Sequence, residues 1–185
     1  MGKLWFCLGL TPSGKIRLVS FASGKGEALG KALNFLRPWE KPVQGEASAK
    51  AEASFNILYN VFMGKPAGKL PPLAWEVLPS FSRKVLRLTC RIPRGFVASY
   101  GALAGVLGVP QGGRAVGAVM AANPFPLLVP CHRVVCSDGR LGGYSLGVKF
   151  KEELLRREGV KMVRVRGEVK AEKSCFLSWE RLKGD

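Results

Sequence analysis

The spacing of apolar and polar positions divides this chain into two halves of different texture. Residues 3–10 and 15–22 each read as a strand, and Thr11-Pro12-Ser13-Gly14 between them as a turn, so the pattern predicts a hairpin. Residues 26–36 repeat apolar side chains at helical spacing, with Leu29, Ala32, Leu33 and Leu36 on one side and Pro38 as the stop. A second amphipathic helix is predicted over 47–63, where Ala51, Phe55, Leu58, Tyr59 and Phe62 fall at helical offsets. No residue pattern in this half carries visible chemistry.

Residues 64–80 hold Pro66, Pro71, Pro72 and Pro79 and no sustained period, which marks a boundary. The division that follows is a small structural α+β domain over 1–70, a linker over 71–80, and a second, mainly helical domain over 81–185. In the second domain Phe81, Val85 and Leu88 form an apolar stripe, while Lys84, Arg87 and Arg91 lie on another face. Ser99 suits the N-cap of a helix running to about Leu107 and closed by Gly108. Pro110 and Gln111 open another, which Asn123-Pro124 ends because the residue before proline avoids helical geometry. Two short helices joined by a glycine-containing turn form a candidate helix-turn-helix.

On the second of these helices Val116, Val119 and Met120 cluster as a core face, and the strip through Arg114 holds Gly117, Ala118 and Ala121. Such a strip suits tight helix packing, and equally an arginine standing on a thin face that enters a nucleic-acid groove. Next comes an apolar, strand-like run fenced by Pro124, Pro126 and Pro130, in which Cys131 adjoins His132, the single histidine of the chain. A thiol is nucleophilic as thiolate and needs a base or positive charge nearby, which His132 and Arg133 could each supply. Neighbours on a strand point to opposite faces, so adjacency alone does not bring thiol and imidazole together. Residues 141–147 form a glycine-rich loop holding Tyr144 and Ser145, either a close approach to a planar ligand or plain flexibility. After a charged helix over 149–157, the tail through Met162, Val165, Phe176 and Leu177 is expected to fold back.

Charge sharpens this picture. Among 185 residues, 29 Lys and Arg stand against 13 Asp and Glu, a formal charge of +16, which favours a polyanionic partner, nucleic acid first. The five scattered cysteines include no Cys-x-x-Cys pair, so a reducing, cytoplasmic setting is expected rather than a disulfide framework. With one histidine, no His-ligated zinc site of the usual mixed kind is expected. No apolar run is long enough to span a bilayer, and no membrane association is expected.

Pro130-Cys131-His132-Arg133-Val134-Val135 resembles the active-site signature of the O6-alkylguanine-DNA alkyltransferases. Ile92-Pro93-Arg94-Gly95, Ser99-Tyr100, Arg114-Ala115-Val116-Gly117 and Asn123-Pro124 upstream continue the resemblance in order and at similar spacing. Gly139, residues 141–145, Lys151 and 154–159 extend it downstream, so that it covers about 81–159 and fades before that.

The resemblance implies direct, irreversible, once-only transfer of an alkyl group from O6 of guanine, and less well from O4 of thymine, to Cys131, with no cofactor. It implies that His132 takes the thiol proton through a water, Glu158 orients His132, and Asn123 pins the turn before the cysteine. It implies that Tyr144 donates to guanine N3, the Ser145 N–H serves O6, carbonyls of Cys131 and Val135 accept from the exocyclic amine, and Met120 lines the floor. Double-stranded DNA would be met through the minor groove by a monomer, with Lys84, Arg87, Ser99, Gln111, Arg114, Ala115 and Arg133 as contacts. Arg114 would fill the vacated stack and Tyr100 would crowd the phosphate as the nucleotide rotates. One departure is Leu146, where many relatives carry glycine; a narrower pocket mouth and poorer use of O6-benzyl than O6-methyl substrates are expected. Two other functions stay open at this point, a lesion-binding protein without transfer and a thiol hydrolase with turnover.

Overall fold

A computed structural model describes residues 3–43, 45, 49–66, 68–145 and 147–183. The chain divides into two compact units, one comprising Met1–Val61, Pro66–Val77 and Pro124–Leu128, the other Phe62–Lys65, Leu78–Asn123 and Val129–Asp185.

In the first unit β1 (Trp5–Leu10) and β2 (Ile16–Ala22) form the antiparallel hairpin, joined by a turn in which Gly14, at φ +77, donates to Thr11 O at 2.8 Å. β2 is buried along its whole length. The first helix, α1 (Lys25–Leu33), is shorter than the pattern predicts and turned differently: Ala28 and Ala32 are buried, while Leu29 and Leu33 are exposed. The small side chains bring the helix backbone close enough for Ser20 Oγ on β2 to donate to Ala28 O at 2.5 Å. α2 (Ala49–Phe62) buries Leu58 and Val61 and leaves Phe55 and Tyr59 exposed.

The proline-rich stretch is not a bare linker. Ile16 N donates to Pro72 O and Ala74 N to Ile16 O, both at 2.8 Å, and Leu73 and Ala74 are buried. The distant segment Pro124–Leu128 joins the same unit, with Val19 N donating to Pro124 O at 2.7 Å and Phe125 set edge-on to Trp75. Thus the first unit takes in most of residues 71–80 and a piece of the 81–185 stretch. Long-range backbone pairing decides this, and such pairing leaves no trace in local periodicity.

The second unit starts with α3 (Ser80–Thr89), which buries Val85, Leu86 and Leu88 and leaves Lys84 and Arg87 exposed. β3 (Ala98–Ser99) leads into α4 (Tyr100–Val106), whose N-terminus is capped by Ser99 Oγ accepting from Ala102 N at 3.0 Å. α5 (Gly113–Ala121) begins later than Pro110-Gln111, because those residues form the turn between the two helices. β4 (Val134–Val135) pairs in parallel with β3, and α6 (Val148–Arg157) follows. The tail holds a hairpin that the alternation did not resolve, β5 (Met162–Val165) and β6 (Glu168–Ala171), turning on Arg166 and Gly167 at positive φ. Beyond it Leu177 N donates to Val97 O at 2.8 Å, so the tail does fold back, ending in α7 (Trp179–Lys183). Val97, Val135, Leu141, Leu155, Val160, Ala171 and Cys175 make one buried cluster beneath β4 and α6.

The class is α+β: a small strand-and-helix unit, and a mainly helical unit carrying the α4–α5 helix-turn-helix and the cysteine loop. No helix among the described residues is long and apolar enough to cross a membrane.

Candidate active site

The run through Cys131 is not a strand. Prolines at 124, 126 and 130 remove backbone donors, and apart from isolated pairing at 126 and 129 the chain forms no strand before residue 134. Cys131–Arg133 instead forms a single 3-10 turn, in which Arg133 N donates to Pro130 O at 2.9 Å. Three residues per turn send Cys131, His132 and Arg133 in three directions, which lets one short segment supply three different contacts. β4 follows at once, and its pairing with β3 ties the turn to the start of α4.

Cys131 and His132 are both buried. Burial pushes the Cys131 thiol up from its ordinary range, partly offset by a hydrogen bond with the Asn123 side chain and by the charge of Lys151. Asn123 Nδ2 also donates to Val129 O at 3.3 Å, bracing the turn that carries the thiol. The resting group is therefore a neutral thiol that needs a base. His132 fits that need, since burial holds its imidazole below the usual range and hence neutral, against the opposing pull of Glu158.

His132 Nε2 lies 3.1 Å from Glu158 Oε1. Glu158 is itself held by Arg133, with Nη2 donating to Oε1 and Nε to Oε2, each at 2.7 Å. The third arm, Nη1, donates to Ile92 O at 2.6 Å. This corrects the expectation that Arg133 reaches DNA: its guanidinium is turned inward and spent on the carboxylate and a carbonyl. Nε2 is the nitrogen nearer the carboxylate, and the tautomer protonated there leaves the acceptor lone pair on Nδ1. Both ring nitrogens are buried, and neither makes a well-aligned hydrogen bond to a protein group among the described residues.

Lys151 went unassigned by pattern alone. It is fully buried on α6, and its ammonium donates to Val134 O and Leu141 O, both at 2.6 Å, joining the cysteine segment to the glycine-rich loop. Burial pulls it down to about 8. A signal existed: 151, 154, 155 and 158 share one helical face, so Lys151 and Glu158 stand on the apolar side with Leu154 and Leu155. Tyr144 presents a buried hydroxyl with no partner among the described residues, its proton held tightly because burial raises its pKa well above 10.

Tyr100 is half-buried and fills the small-residue strip of α5 in part: a Cβ at Gly113 or Gly117 would touch its side chain at 3.9 or 4.0 Å. On the other side, a Cβ at Gly142 would come within 3.0 Å of the Tyr100 hydroxyl. The tight-packing alternative holds at the glycines of that strip, and the arginine-bearing face is left exposed. The glycines pack against Tyr100, and Gln111, Arg114, Ala115, Ala118, Ala121 and Ala122 are exposed. Met120 and Val135 are buried and Ser145 exposed; Leu146 lies outside the described residues. No trio of His, Cys, Asp or Glu among the described residues could hold a metal ion.

Comparison with known proteins follows the same lines. The model of the 6-O-methylguanine DNA methyltransferase DNA-binding domain matches residues 80–160. A methylated-DNA–protein-cysteine methyltransferase of Thermococcus gammatolerans is 38% identical over 160 residues, covering 83% of this chain and 89% of that protein. The Homo sapiens protein of the same name is 49% identical over 160 residues, covering 80% and 77%. The crystal structure of O6-methylguanine-DNA methyltransferase from Pyrococcus kodakaraensis superposes with a TM-score of 0.67 at 32% identity, covering 85% of this chain and 92% of that one.

Proposed function

Because the chain belongs to the methylated-DNA–protein-cysteine methyltransferase family, whose enzymes act in DNA repair, we propose that it takes the alkyl group of O6-alkylguanine onto Cys131, once per molecule. The observation that carries this is the buried Cys131 next to the buried His132, whose Nε2 lies 3.1 Å from Glu158 Oε1.

The thiol proton passes to His132 Nδ1 through a bridging water, and Glu158 stabilises the imidazolium that forms. The thiolate attacks the alkyl carbon, the S–C bond forms, and the C–O6 bond breaks with its electron pair left on guanine. Tyr144 donates toward N3 and the Ser145 N–H toward O6 as that charge develops. Carbonyls of Cys131 and Val135 accept from the exocyclic amine, with Met120 beneath. Guanine finally gains the proton that the imidazolium returns. A thioether has no easy leaving path, so the protein is consumed. O4-alkylthymine presents a similar oxygen and would react less well.

A base inside a duplex is out of reach, so the nucleotide must be flipped out, at about a few kcal/mol of lost stacking. The exposed thin face of α5 suits the minor groove, with Arg114 filling the gap and Tyr100 guiding the rotating phosphate. Lys84, Arg87, Ser99, Gln111 and Ala115 complete the contact surface, and the charge of +16 supplies attraction. One thiol and one flipped base suffice for the chemistry, which fits a monomer. Five free cysteines fit a reducing, intracellular setting.

The test is intact mass after incubation with a duplex holding one O6-methylguanine, then peptide mapping. One methyl per protein on Cys131, without turnover, is expected. Tight binding with no mass change would overturn transfer in favour of lesion recognition.

A further inference from the structure

The tail hairpin carries a residue that its turn does not want. Arg166 and Gly167 sit at φ +49 and +83, so β5 and β6 are joined by a tight turn with both central residues left-handed. Asparagine or glycine fits the first of those positions, and a longer side chain there strains the backbone. Arginine stands there instead. Strain kept at one exposed position points to a use for the side chain presented.

Charge gathers on the same hairpin. Residues 161–173 hold five Lys and Arg against two Glu. The ion pairs of this region among the described residues join Asp138 to Arg140 and to Lys170, and none engages the exposed Lys161, Arg164, Arg166 or Lys173. Arg164 Nη1 donates to Gly167 O at 3.2 Å, which sets the two arginines side by side at the tip. Unpaired cations so close together repel one another, and a polyanion relieves that repulsion.

The root is firm and lies near the proposed DNA surface. Glu172 N donates to Lys161 O at 2.9 Å, and Ala171 and Cys175 belong to the buried cluster. Ala171 N donates to Gly139 O at 2.9 Å and Lys170 bridges to Arg140, so the hairpin continues the turn that follows β4. That turn starts at Cys136, and a Cβ built at Gly142 would lie 3.7 Å from its thiol and 3.0 Å from the hydroxyl of Tyr100, the first residue of α4. Four paired residues carry the hairpin about 13 Å outward. That is about four phosphate spacings along one DNA strand.

We propose that the β5–β6 hairpin is a phosphate-binding arm, with Arg164 and Arg166 at its tip on the backbone of the duplex flanking the flipped nucleotide. This rests on the reading that the chain binds duplex DNA. The arm lies beyond residues 80–160, where the match to the family's DNA-binding domain ends, so its contacts add to those of α5. A guanidinium meets phosphate through two parallel donors, and a backbone contact adds grip without reading sequence.

The experiment measures the affinity of the full chain for an undamaged duplex between about 50 and 200 mM salt. Arg164→Gln with Arg166→Asn is expected to lower the log–log slope by about 2, and Arg166→Asn alone by about 1. Asparagine accepts the left-handed φ at 166, so the single variant is expected to melt no lower than the wild type. Lys25→Gln with Lys69→Gln takes the same charge from exposed positions of the first unit and is expected to leave the slope unchanged. An unchanged slope in the double arm variant, an equal fall in the lysine variant, or a lower melting point for Arg166→Asn would overturn the arm and leave transfer to Cys131 standing. Wild-type duplex binding that ignores salt, or no duplex binding at all, would instead remove the DNA reading and the arm with it.

Discussion

Arg133 grips Glu158 through both carboxylate oxygens at 2.7 Å, and the same Oε1 faces His132 Nε2 at 3.1 Å. Glu158 is thus held by Arg133 on one side and faces the imidazole on the other. Its side chain is only 2% exposed, so the negative charge is held where solvent does little to weaken it.

Acid should dismantle this arrangement in two stages. Burial opposes the charge on Glu158, but the Arg133 fork and His132 outweigh it and bring the carboxyl down from 4.5 to about 2. A depressed carboxyl contributes stability above its unfolded pKa and loses it as pH falls through the folded one, here between 4.5 and about 2, worth at most roughly 3 kcal/mol. His132, held below 6.5 by burial, adds an earlier loss as the unfolded chain takes up its proton below 6.5. Urea unfolding across pH should show both slopes, and Glu158→Gln should remove the one between 4.5 and 2.

Arg133→Met should cost about 3–5 kcal/mol, because it leaves the Glu158 charge buried with half its partners. The salt dependence of DNA binding separates this from a phosphate contact. A residue on phosphate lowers the log–log slope by about 1 when removed; the inward Arg133 should leave the slope unchanged.

Lys151→Met strips the shared donor from Val134 O and Leu141 O, and about 1–3 kcal/mol of destabilisation is expected from those carbonyls. The gap should also depend on pH. Burial lowers Lys151 from 10.5 to about 8, so between those values the unfolded chain holds the proton that the folded one has lost. Stability of the wild type therefore gains with rising pH over that window, and the variant lacks the gain. Denaturation at pH 8 and at pH 10 checks both magnitude and sign.

Ser99→Ala removes the side-chain acceptor for Ala102 N and should cost about 1 kcal/mol, read from the thermal midpoint. Because Ser99 also pairs with Val135 across β3 and β4, the transfer rate should fall with stability. An Asp at the same position should restore the cap.

The cysteine run reads as strand-like but folds as a 3-10 turn. The helix-turn-helix was legible because its signals are local: Ser99 as cap and Gly108 as stop. The inward turn of Arg133 was not, since its partner lies 25 residues on. Lys151 has no role by pattern, although it stands on the face of Leu154 and Leu155. The leucines of α1 misled the assignment of its buried face, because close approach to β2 favoured Ala28 and Ala32. Pairing of Pro124–Leu128 with the first unit is a contact between remote stretches that no window of sequence contains.

The exposed strip of α5 is already trimmed to the Cβ at Ala115, Ala118 and Ala121, with Arg114 the one long side chain among them. Deletion scanning is blind on such a surface, since alanine is what is there, and only Arg114 would register. Under the proposed groove entry the strip contributes thinness, and thinness is revealed by addition. Ala118→Leu places a branched side chain on an exposed helical position that leaves the core untouched. For this face the informative library enlarges each residue in turn, and tolerance to bulk, rather than loss on truncation, maps the footprint.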